Sequence, residues 1–373
     1  MRIGLDMQAA RGEVTGLGRY ALGLRAAMRT AAGIECVELG LTGAAHLRTP
    51  ARMLREQFLP LRMRRHGLDI LHLPAFAPPL WGAARRVCTL HDLNILDDAR
   101  ILAPGLSRFY WRTWLPHLAA RADAIITPSG HTALRFRRHF PHARASVHVI
   151  AYPPGAEFQT ASPEECRRVQ VKYRLAKAFC LGVGALEERK DWLLVLAALA
   201  RLPHELCPQL VLAGPEREQT QALMKHMQTL QLGERVRRLS YVPLADLVAL
   251  YSCARLLLFP DRNAGYGLPV LEAMACGAPV LSLACAALPE TCAGAAALLE
   301  PPFTPARLAQ RWAELLQLPQ QRIGLRRKGW ERVSRLSWPA TMAQVIAVYE
   351  SVLREGIQRP KTQPAWAAGG VSP

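Results

Sequence analysis

The stretch NAGYGLPVLEAMACGAPVL, from Asn263 to Leu281, carries the pattern that decides the fold. A glycine-rich turn leads into a short apolar helix, in which Pro269 suits the first turn and Gly277 suits the left-handed residue that ends it. An apolar strand begins directly afterwards. The pattern therefore predicts one short helix between a loop and a strand.

The backbone before this helix has the composition of an anion-binding site. Gly265 and Gly267 let the main chain approach a ligand closely and aim its N–H groups at a phosphate, and the helix dipole adds to the attraction. Glu272, one turn into the helix, would reach ligand hydroxyls as a hydrogen-bond acceptor. The alternative is a first-turn carboxylate that only stabilises the helix dipole.

Short apolar strands alternate with helices on both sides of this stretch. The strands include RIGLDM, DILHLP, RVCTLHD and DAIITPS in the first half and FCLGVGA, QLVLAG and RLLLFPD in the second. Such runs, separated by helices of roughly 10–15 residues, predict parallel sheets covered on both faces. The predicted fold is α/β, with two doubly wound, Rossmann-like parallel-sheet domains facing a central cleft, where open α/β sheets bind ligands.

The length of 373 residues favours two domains. The proline-rich stretch AYPPGAEFQTASPEE is the best linker candidate, and we place the boundary at Gly155. The first domain then spans residues 1–155 and the second spans residues 156–337. Residues 355–373 lack periodicity and are predicted to form a disordered tail.

The composition is strongly basic, with a formal net charge of +18, and only six of the 47 basic residues are lysine. Such a chain should meet an anionic partner, and nucleic acid, an anionic membrane or a phosphorylated substrate would each fit. The nine cysteines include no Cys-x-x-Cys pair, which indicates a reducing compartment. No run reaches the roughly 18 apolar residues of a membrane span, and no zinc spacing or P-loop occurs, so we predict no metal.

A second basic candidate is Arg189-Lys190 in GVGALEERKDW, between an apolar strand and an amphipathic helix. An arginine fork and a lysine point charge at a strand end can clamp a diphosphate. The alternative is an ordinary solvated charge cluster.

Two further stretches lie where a ligand in the cleft would meet them. Gly16 and Gly18 in TGLGRYA fit a dinucleotide loop poorly, because the eight residues QAARGEVT separate them from the preceding strand; a longer loop that closes over the ligand fits better. His91 and Asp92 follow a strand, and His91 could hold a substrate hydroxyl or move a proton. The alternative is a structural histidine bonded to loop carbonyls.

Aromatic and leucine side chains alternate with arginines at residues 52–67 and 108–121. Such stretches fit the surface of an anionic membrane. Solvated helix faces that pack on the domain are the alternative.

Taken in order, these motifs resemble those of the retaining family-4 glycosyltransferases of the GT-B fold. The resemblance runs to Val352 through TGLGRY, TLHD, VIAYPPG, GVGALEERKDW, GYGLPVLEAMACGAPVLS and SWPATMAQVIAVYESVL. It is most similar to the bacterial branch that builds mannose-containing surface polysaccharides.

The resemblance implies a donor sugar activated by a nucleoside diphosphate, with GDP-mannose favoured and UDP- or other GDP-sugars as alternatives. Arg189 and Lys190 would hold the diphosphate, Glu272 the ribose, and His91 would lie near the transferring sugar. The implied donor contacts are Val242, Gly265, Tyr266, Gly267, Leu268 and Pro269, and the implied acceptor-side contacts are Gly16, Gly18 and Asp92.

The resemblance also implies the setting of the reaction. The acceptor would be a lipid-linked saccharide on the first domain, and a helix at about residues 338–353 would cross back onto that domain. Transfer would need neither metal nor cofactor, and nucleic acid would not be a partner. We expect a cytoplasmic enzyme, peripheral on the inner face of a bacterial membrane.

One position departs from the family pattern in a way that concerns catalysis. Ala264 stands where the family has the first of two glutamates, so the carboxylate expected to touch the donor sugar is absent; Ser240, in place of glycine, is a milder departure. Asp261 or Asn263 would substitute if the loop folds inward. Because one charged contact is commonly worth about 2–3 kcal/mol, the alternative function is a weakened paralogue that binds a nucleotide sugar or a partner transferase.

Overall fold

The computed structural model describes residues 1–10, 16–39, 67–74, 85–97, 115–207 and 209–358. Its first sheet has six parallel strands in the order β2-β1-β3-β4-β5-β6. These strands are β1 Arg2–Asp6, β2 Glu35–Leu39, β3 Ile70–Leu73, β4 Arg85–Thr89, β5 Ala124–Thr127 and β6 Ser146–Val149.

The second sheet is also parallel and six-stranded, with the order β12-β11-β10-β7-β8-β9. Its strands are β7 Cys180–Val183, β8 Leu210–Ala213, β9 Val236–Leu239, β10 Leu256–Phe259, β11 Val280–Leu283 and β12 Ala297–Leu299. The predicted α/β class with two parallel sheets is confirmed. The strands of the first sheet all precede Gly155, and those of the second all follow it.

Helices connect the strands, as parallel pairing requires. In the first half they include α1 Gly16–Thr30, α2 Asn94–Asp97 and α3 Gly130–His139, and residues 115–121 are helical as well. In the second half they are α4 Pro163–Tyr173, α5 Trp192–Leu199, α6 Thr220–Thr229, α7 Leu244–Cys253, α8 Leu268–Ala275, α9 Leu288–Cys292, α10 Pro305–Gln317, α11 Pro319–Ser334 and α12 Trp338–Gln358.

The apolar runs are buried on both faces of each sheet. In β10 every residue is buried; Leu257 belongs to one cluster of core side chains and Leu256 to another, because successive side chains of a strand point to opposite faces. The cluster that contains Leu257 continues to Ile3 and Leu5 of β1. The two sheets therefore share one continuous apolar core, which fixes the faces of the cleft.

The last described helix, α12, packs on the first domain rather than the second. It contacts α1, the Thr341 hydroxyl donates to the Ala151 carbonyl at 3.0 Å, and the Tyr349 hydroxyl lies 2.5 Å from His72 Nδ1. The helix begins at Trp338 and continues to Gln358, so the first four residues of the predicted tail are helical. The remainder of that tail, residues 359–373, lies outside the described residues.

Within the described ranges, no helix combines the length and the apolar character needed to cross a membrane. Two stretches are predicted to meet a membrane surface, at residues 52–67 and 108–121. The structure describes only Gly67 of the first and residues 115–121 of the second.

Candidate functional site

The glycine-rich turn and short helix form where the sequence predicts them. Gly267 has a φ of 91°, a left-handed conformation that side chains disfavour, and α8 begins at the next residue with Pro269 in its first turn. Gly277, with a φ of 82°, follows the end of the helix. The loop before α8 leaves the carboxyl end of β10, so the helix N-terminus lies at the cleft edge of the second sheet.

This loop is also where the two domains touch. The Gly265 carbonyl accepts hydrogen bonds from the Ser129 hydroxyl at 2.6 Å and from the Thr132 hydroxyl at 3.1 Å, both from the first domain. A Cβ atom on Gly265 would lie 2.0 Å from the His91 carbonyl oxygen and 2.7 Å from the Asp92 Cβ. Glycine is therefore required here by the close approach of another backbone.

Aromatic and carboxylate contacts extend the junction on either side of Gly265. The Tyr266 hydroxyl donates to the Tyr152 carbonyl at 2.7 Å, and the Tyr152 N–H lies 3.1 Å from the same hydroxyl. The Thr291 hydroxyl donates to the Tyr266 carbonyl. The Glu290 carboxylate accepts the Gly130 N–H at 2.9 Å, at the start of α3.

Glu272 lies at the centre of the junction, and its side chain is 0% exposed. Its carboxylate pairs with Arg19 Nη2 of α1 at 2.7 Å and accepts a hydrogen bond from the Tyr251 hydroxyl at 3.2 Å. Burial raises the pKa of Glu272 above its usual value, although Arg19 and Tyr251 act in the opposite direction. In this conformation the carboxylate therefore contacts protein groups rather than open solvent.

Arg189 and Lys190 form the predicted pair of cations beyond β7, in a short 3₁₀ turn at Glu188–Lys190. They converge on the carboxylate of Asp261, with Arg189 Nη1 at 2.5 Å and Lys190 Nζ at 2.7 Å from Asp261 Oδ2. Arg189 Nε also donates to Glu187 at 2.8 Å. We call Arg189, Lys190 and Asp261 the clamp cluster. Its side chains are buried or partly buried, so it differs from the alternative of an ordinary solvated charge cluster.

Both cations of the clamp cluster are held by their surroundings. Lys190 is 6% exposed, its Nζ lies 4.4 Å from the centroid of the Phe259 ring, and its side chain passes Gly184, where a Cβ would lie 3.0 Å from Lys190 Cε. Burial alone would lower the pKa of Arg189, but Asp261 and Glu187 raise it, so the guanidinium stays charged. The cluster can offer two oriented cations to a phosphorylated ligand.

His91 is buried beyond the end of β4, with a protein partner at each ring nitrogen. Nε2 lies 3.0 Å from the Pro74 carbonyl, which can only accept, so Nε2 carries the proton and Nδ1 accepts from the Tyr152 hydroxyl at 3.1 Å. Burial lowers the pKa of His91 to about 4. A neutral imidazole with both nitrogens engaged suits positioning better than proton transfer.

Asp92 and the glycines of the predicted loop lie at the first-domain side of the junction. Asp92 Oδ1 accepts the Asn94 N–H at 3.1 Å, and burial raises the pKa of Asp92. Gly16 and Gly18 were expected in a loop, but they lie in the first turn of α1. Gly18 is buried together with Ala21, one turn further along the helix, so the packed face of α1 already includes it. Residues 11–15, before the helix, lie outside the described residues.

Ser240 and Val242 follow β9, at the same edge of the second sheet as the clamp cluster. Ser240 is exposed and Val242 is partly buried. A small cavity of about 60 Å³ lies beside Ser240, bounded by Leu212 and Gly214 of the neighbouring strand end. A much larger cavity, about 720 Å³, lies between α1 and α12; its lining is mainly apolar and includes Arg19.

Sequence reasoning missed three functional candidates, which are Arg19, Tyr251 and the position of Asp261 in the clamp cluster. Arg19 stands inside the quoted motif TGLGRY, but its partner lies 253 positions away, and no local pattern links the two. No group of three or more His, Cys, Asp or Glu side chains suited to a metal ion occurs within the described ranges.

Two parallel-sheet domains that face a cleft, with a glycine-rich helix start on one side, define the GT-B class of glycosyltransferases. The chain belongs to this class by family as well: residues 15–153 match the model for Glycosyltransferase Family 4, and residues 167–332 match the model for Glycosyl transferases group 1. The chain is thus a glycosyltransferase.

Individual relatives agree with this assignment. The chain is 29% identical over 305 residues to O-antigen chain mannosyltransferase B of Escherichia coli, covering 80% of this chain and 78% of that protein. Its fold is similar to sucrose-phosphate synthase from Thermosynechococcus elongatus, with a TM-score of 0.76, 19% identity and coverage of 95% and 100%. It is also similar to HepE of Anabaena in complex with UDP and glucose, with a TM-score of 0.70, 17% identity and coverage of 94% and 100%. The alternative of a catalytically weakened paralogue is not favoured, since the matching family models describe glycosyltransferases and the relative from Escherichia coli is named as a mannosyltransferase.

Proposed function

We propose that this glycosyltransferase moves mannose from GDP-mannose to a saccharide acceptor carried by a lipid, with retention of configuration. The observation that carries the proposal is the pair of cations, partly buried Arg189 and buried Lys190, at a strand end beside the glycine-rich start of α8. Both features are suited to the diphosphate of a nucleotide sugar.

The proposed reaction depends on charge stabilisation. Breaking the bond between sugar and phosphate leaves negative charge on the departing diphosphate, and preorganised donors aimed at that charge supply a large catalytic contribution. Arg189, Lys190 and the amides of residues 265–268 are the proposed donors. In the retaining mechanism implied by the family, the acceptor attacks on the face of the leaving group, and the diphosphate takes its proton. The positive charge comes from side chains, so the proposal calls on neither metal nor cofactor.

The other predicted residues take supporting parts in this proposal. Glu272 would accept a hydrogen bond from a ribose hydroxyl, sharing its carboxylate with Arg19. His91 would position the loop at Gly265, because its carbonyl oxygen lies against that residue. Val242 would lie by the base, and the first domain, with Gly16, Gly18 and Asp92 near the junction, would receive the acceptor.

The identity of the sugar rests on relatives. The mannosyltransferase of Escherichia coli acts in an O-antigen chain, which supports mannose and a polysaccharide acceptor. HepE binds UDP and glucose, which supports a nucleotide donor but leaves UDP-sugars as alternatives to GDP-mannose.

We infer a cytoplasmic protein at the inner face of a bacterial membrane. The net charge of +18 supports attachment to anionic lipid. Co-sedimentation with vesicles of phosphatidylglycerol should be strong at low salt and fall as salt rises, and absence of binding at low salt would contradict the inference.

A thermal-unfolding screen against GDP, UDP, ADP and their common sugars tests the donor. A ligand at 100 times its Kd should stabilise the folded protein by about 2.7 kcal/mol. We expect GDP and GDP-mannose to raise the melting temperature of the unaltered protein and of Lys225→Ala, which removes an exposed charge on α6. The increase should disappear in Lys190→Ala.

Three outcomes separate the alternatives in this screen. A shift with UDP instead of GDP would replace GDP-mannose by a UDP-sugar. A rise in melting temperature that persists in Lys190→Ala would show that the donor does not bind at the clamp cluster. Absence of a shift with every nucleotide would overturn the proposed function.

A further inference from the structure

Both cations of the clamp cluster have carboxylate partners before any ligand arrives. Arg189 and Lys190 carry two positive charges, and Asp261 and Glu187 carry two negative ones at 2.5–2.8 Å from them. A nucleoside diphosphate would therefore approach cations that already have anionic partners. A diphosphate gains affinity from cations whose hydrogen bonds it can accept. Carboxylates that already accept those hydrogen bonds therefore affect how tightly the donor binds.

Asp261 is the carboxylate in contact with both cations. It follows β10 by two residues, and β10 pairs with β7, whose loop carries Arg189 and Lys190, so parallel pairing brings all three to one edge of the sheet. One oxygen, Oδ2, meets both cations, and the other accepts the Asn263 N–H at 3.0 Å. The residue is 1% exposed.

Asp261 is also the single acid in the sequence LLLFPDRNAGYGLPVL, between residues 256 and 271. The position that carries a glutamate in the family, Ala264, has no carboxylate and is 4% exposed. The negative charge of this loop therefore lies three residues earlier and faces the cations. Burial alone would raise the pKa of Asp261, but Lys190 and Arg189 hold it below its usual value, so the carboxylate is ionised at neutral pH.

We propose that Asp261 is an internal counterion that occupies the diphosphate subsite in the free protein and competes with the donor for Arg189 and Lys190. The diphosphate displaces the Asp261 carboxylate when it binds, and the strength of the internal pairing sets the donor affinity. This inference rests on the proposed donor site at the clamp cluster.

The direction of the effect separates this inference from a structural role. If Asp261 competes with the ligand, its removal leaves two cations without their shared partner, and anions should bind more tightly. If Asp261 instead orients the cations for the ligand, its removal should weaken binding, because Lys190 would lose the contact that holds its ammonium in place.

Isothermal titration with GDP, UDP and inorganic pyrophosphate tests the inference. In Asp261→Asn we expect pyrophosphate and the preferred nucleotide to bind roughly tenfold more tightly than in the unaltered protein, since a hydrogen bond to a charged group is commonly worth about that factor or more. Pyrophosphate is included because it probes the cations without a base or a sugar.

Asp191→Asn is the matched control. Asp191 is adjacent to Lys190 in sequence and pairs with Arg262 at 2.5 Å, outside the clamp cluster. The variant makes the same change of charge in the same loop, so its affinity for pyrophosphate should stay within about twofold of the unaltered protein. If both variants bound pyrophosphate more tightly by the same factor, the gain in affinity would come from the change of net charge alone, which would overturn the inference.

Stability measurements cover the possibility that Asp261→Asn folds poorly. Asp261→Ser removes the same carboxylate and leaves more space, and both variants should unfold at lower temperature than the unaltered protein when free. Pyrophosphate should raise their melting temperatures by more than it raises that of the unaltered protein. Variants that pyrophosphate fails to restore would show that Asp261 is irreplaceable as a structural partner, which contradicts the inference.

The titrations also distinguish this inference from the proposed function. If the unaltered protein binds a nucleotide and Asp261→Asn binds it equally or less well, the inference fails and the proposed donor site stands. If neither protein binds any nucleotide or pyrophosphate, both fail.

Discussion

Glu272 and Asp261 are two buried carboxylates on either side of one glycine-rich loop, and they differ in their counterions. Asp261 contacts two cations of its own domain, whereas Glu272 contacts one cation, Arg19, from the other domain, together with a tyrosine hydroxyl. The pKa of Asp261 is lowered, and that of Glu272 is raised. At nearly equal burial, the carboxylate that keeps its charge at the lower pH is the one that contacts two cations and also accepts the Asn263 N–H.

The clamp cluster and the Arg19–Glu272 pair also hold different parts of the molecule together. The clamp cluster joins two loops of the second sheet, so it can respond to a ligand without movement of the domains. The Arg19–Glu272 pair joins α1 to α8, so it reports on how closely the domains approach. An internal salt bridge can be exchanged for a ligand, whereas a pair between domains couples any such exchange to domain closure.

The largest expected effect comes from removing Arg19, the one cation that the described residues place at Glu272. Arg19→Met should lower the free energy of unfolding by about 3 kcal/mol, because it leaves a fully buried carboxylate without a positive partner. Lys190→Met should cost less, since Asp261 keeps Arg189. Urea denaturation followed by tryptophan fluorescence measures both losses. An equal or larger loss in Lys190→Met would show that the number of cations at each carboxylate does not set these stabilities.

A smaller effect concerns pH, where the two carboxylates should act with opposite sign. The pKa of Glu272 is raised in the folded protein, so its contribution to stability falls as the pH rises above 4.5. The pKa of Asp261 is lowered, so its contribution falls as the pH drops below 3.8. Relative to the unaltered protein, Glu272→Gln should therefore gain stability with rising pH, and Asp261→Asn should gain with falling pH.

Melting temperatures between about pH 3 and pH 7 check these slopes. The arginine left behind in each variant, Arg19 or Arg189, stays charged throughout this interval, so it adds a constant offset and no slope. Slopes of the same sign in the two variants would show that burial, rather than the count of cations, governs both groups.

The fold could be predicted from sequence because its signals are local. The apolar runs that became β7, β8 and β10 are short and nearly continuous, and each is followed by a helical pattern, which suffices to predict a parallel sheet. The end of α12 was placed five residues too early. Its last turns carry polar residues, and no glycine or proline stands at residues 354–355 to mark an end.

The site could be predicted only in part. Its residues stand in short motifs that can be read from the sequence, but the partners they contact lie far away in the chain. The glycines at 265 and 267 and the cations at 189 and 190 stand in recognisable motifs. The partner of Glu272 depends on how α1 lies against α8, which is a property of domain packing. The same limit applies to Asp261. From the sequence it is predicted as a substitute for the missing glutamate, whereas in the structure the order of the strands places its carboxylate against Arg189 and Lys190.

The return of α12 to the first domain has a consequence for synthesis of the chain. Tyr349 completes a buried polar chain with His72, Thr89 and Tyr20, and its helix covers the first domain beside α1. A ribosome that has finished the first sheet has still to make some 200 residues before this helix emerges. The second domain, whose elements are contiguous in the chain, can thus be complete before α12 covers the first domain, and the domain that is translated first is the last to be completed.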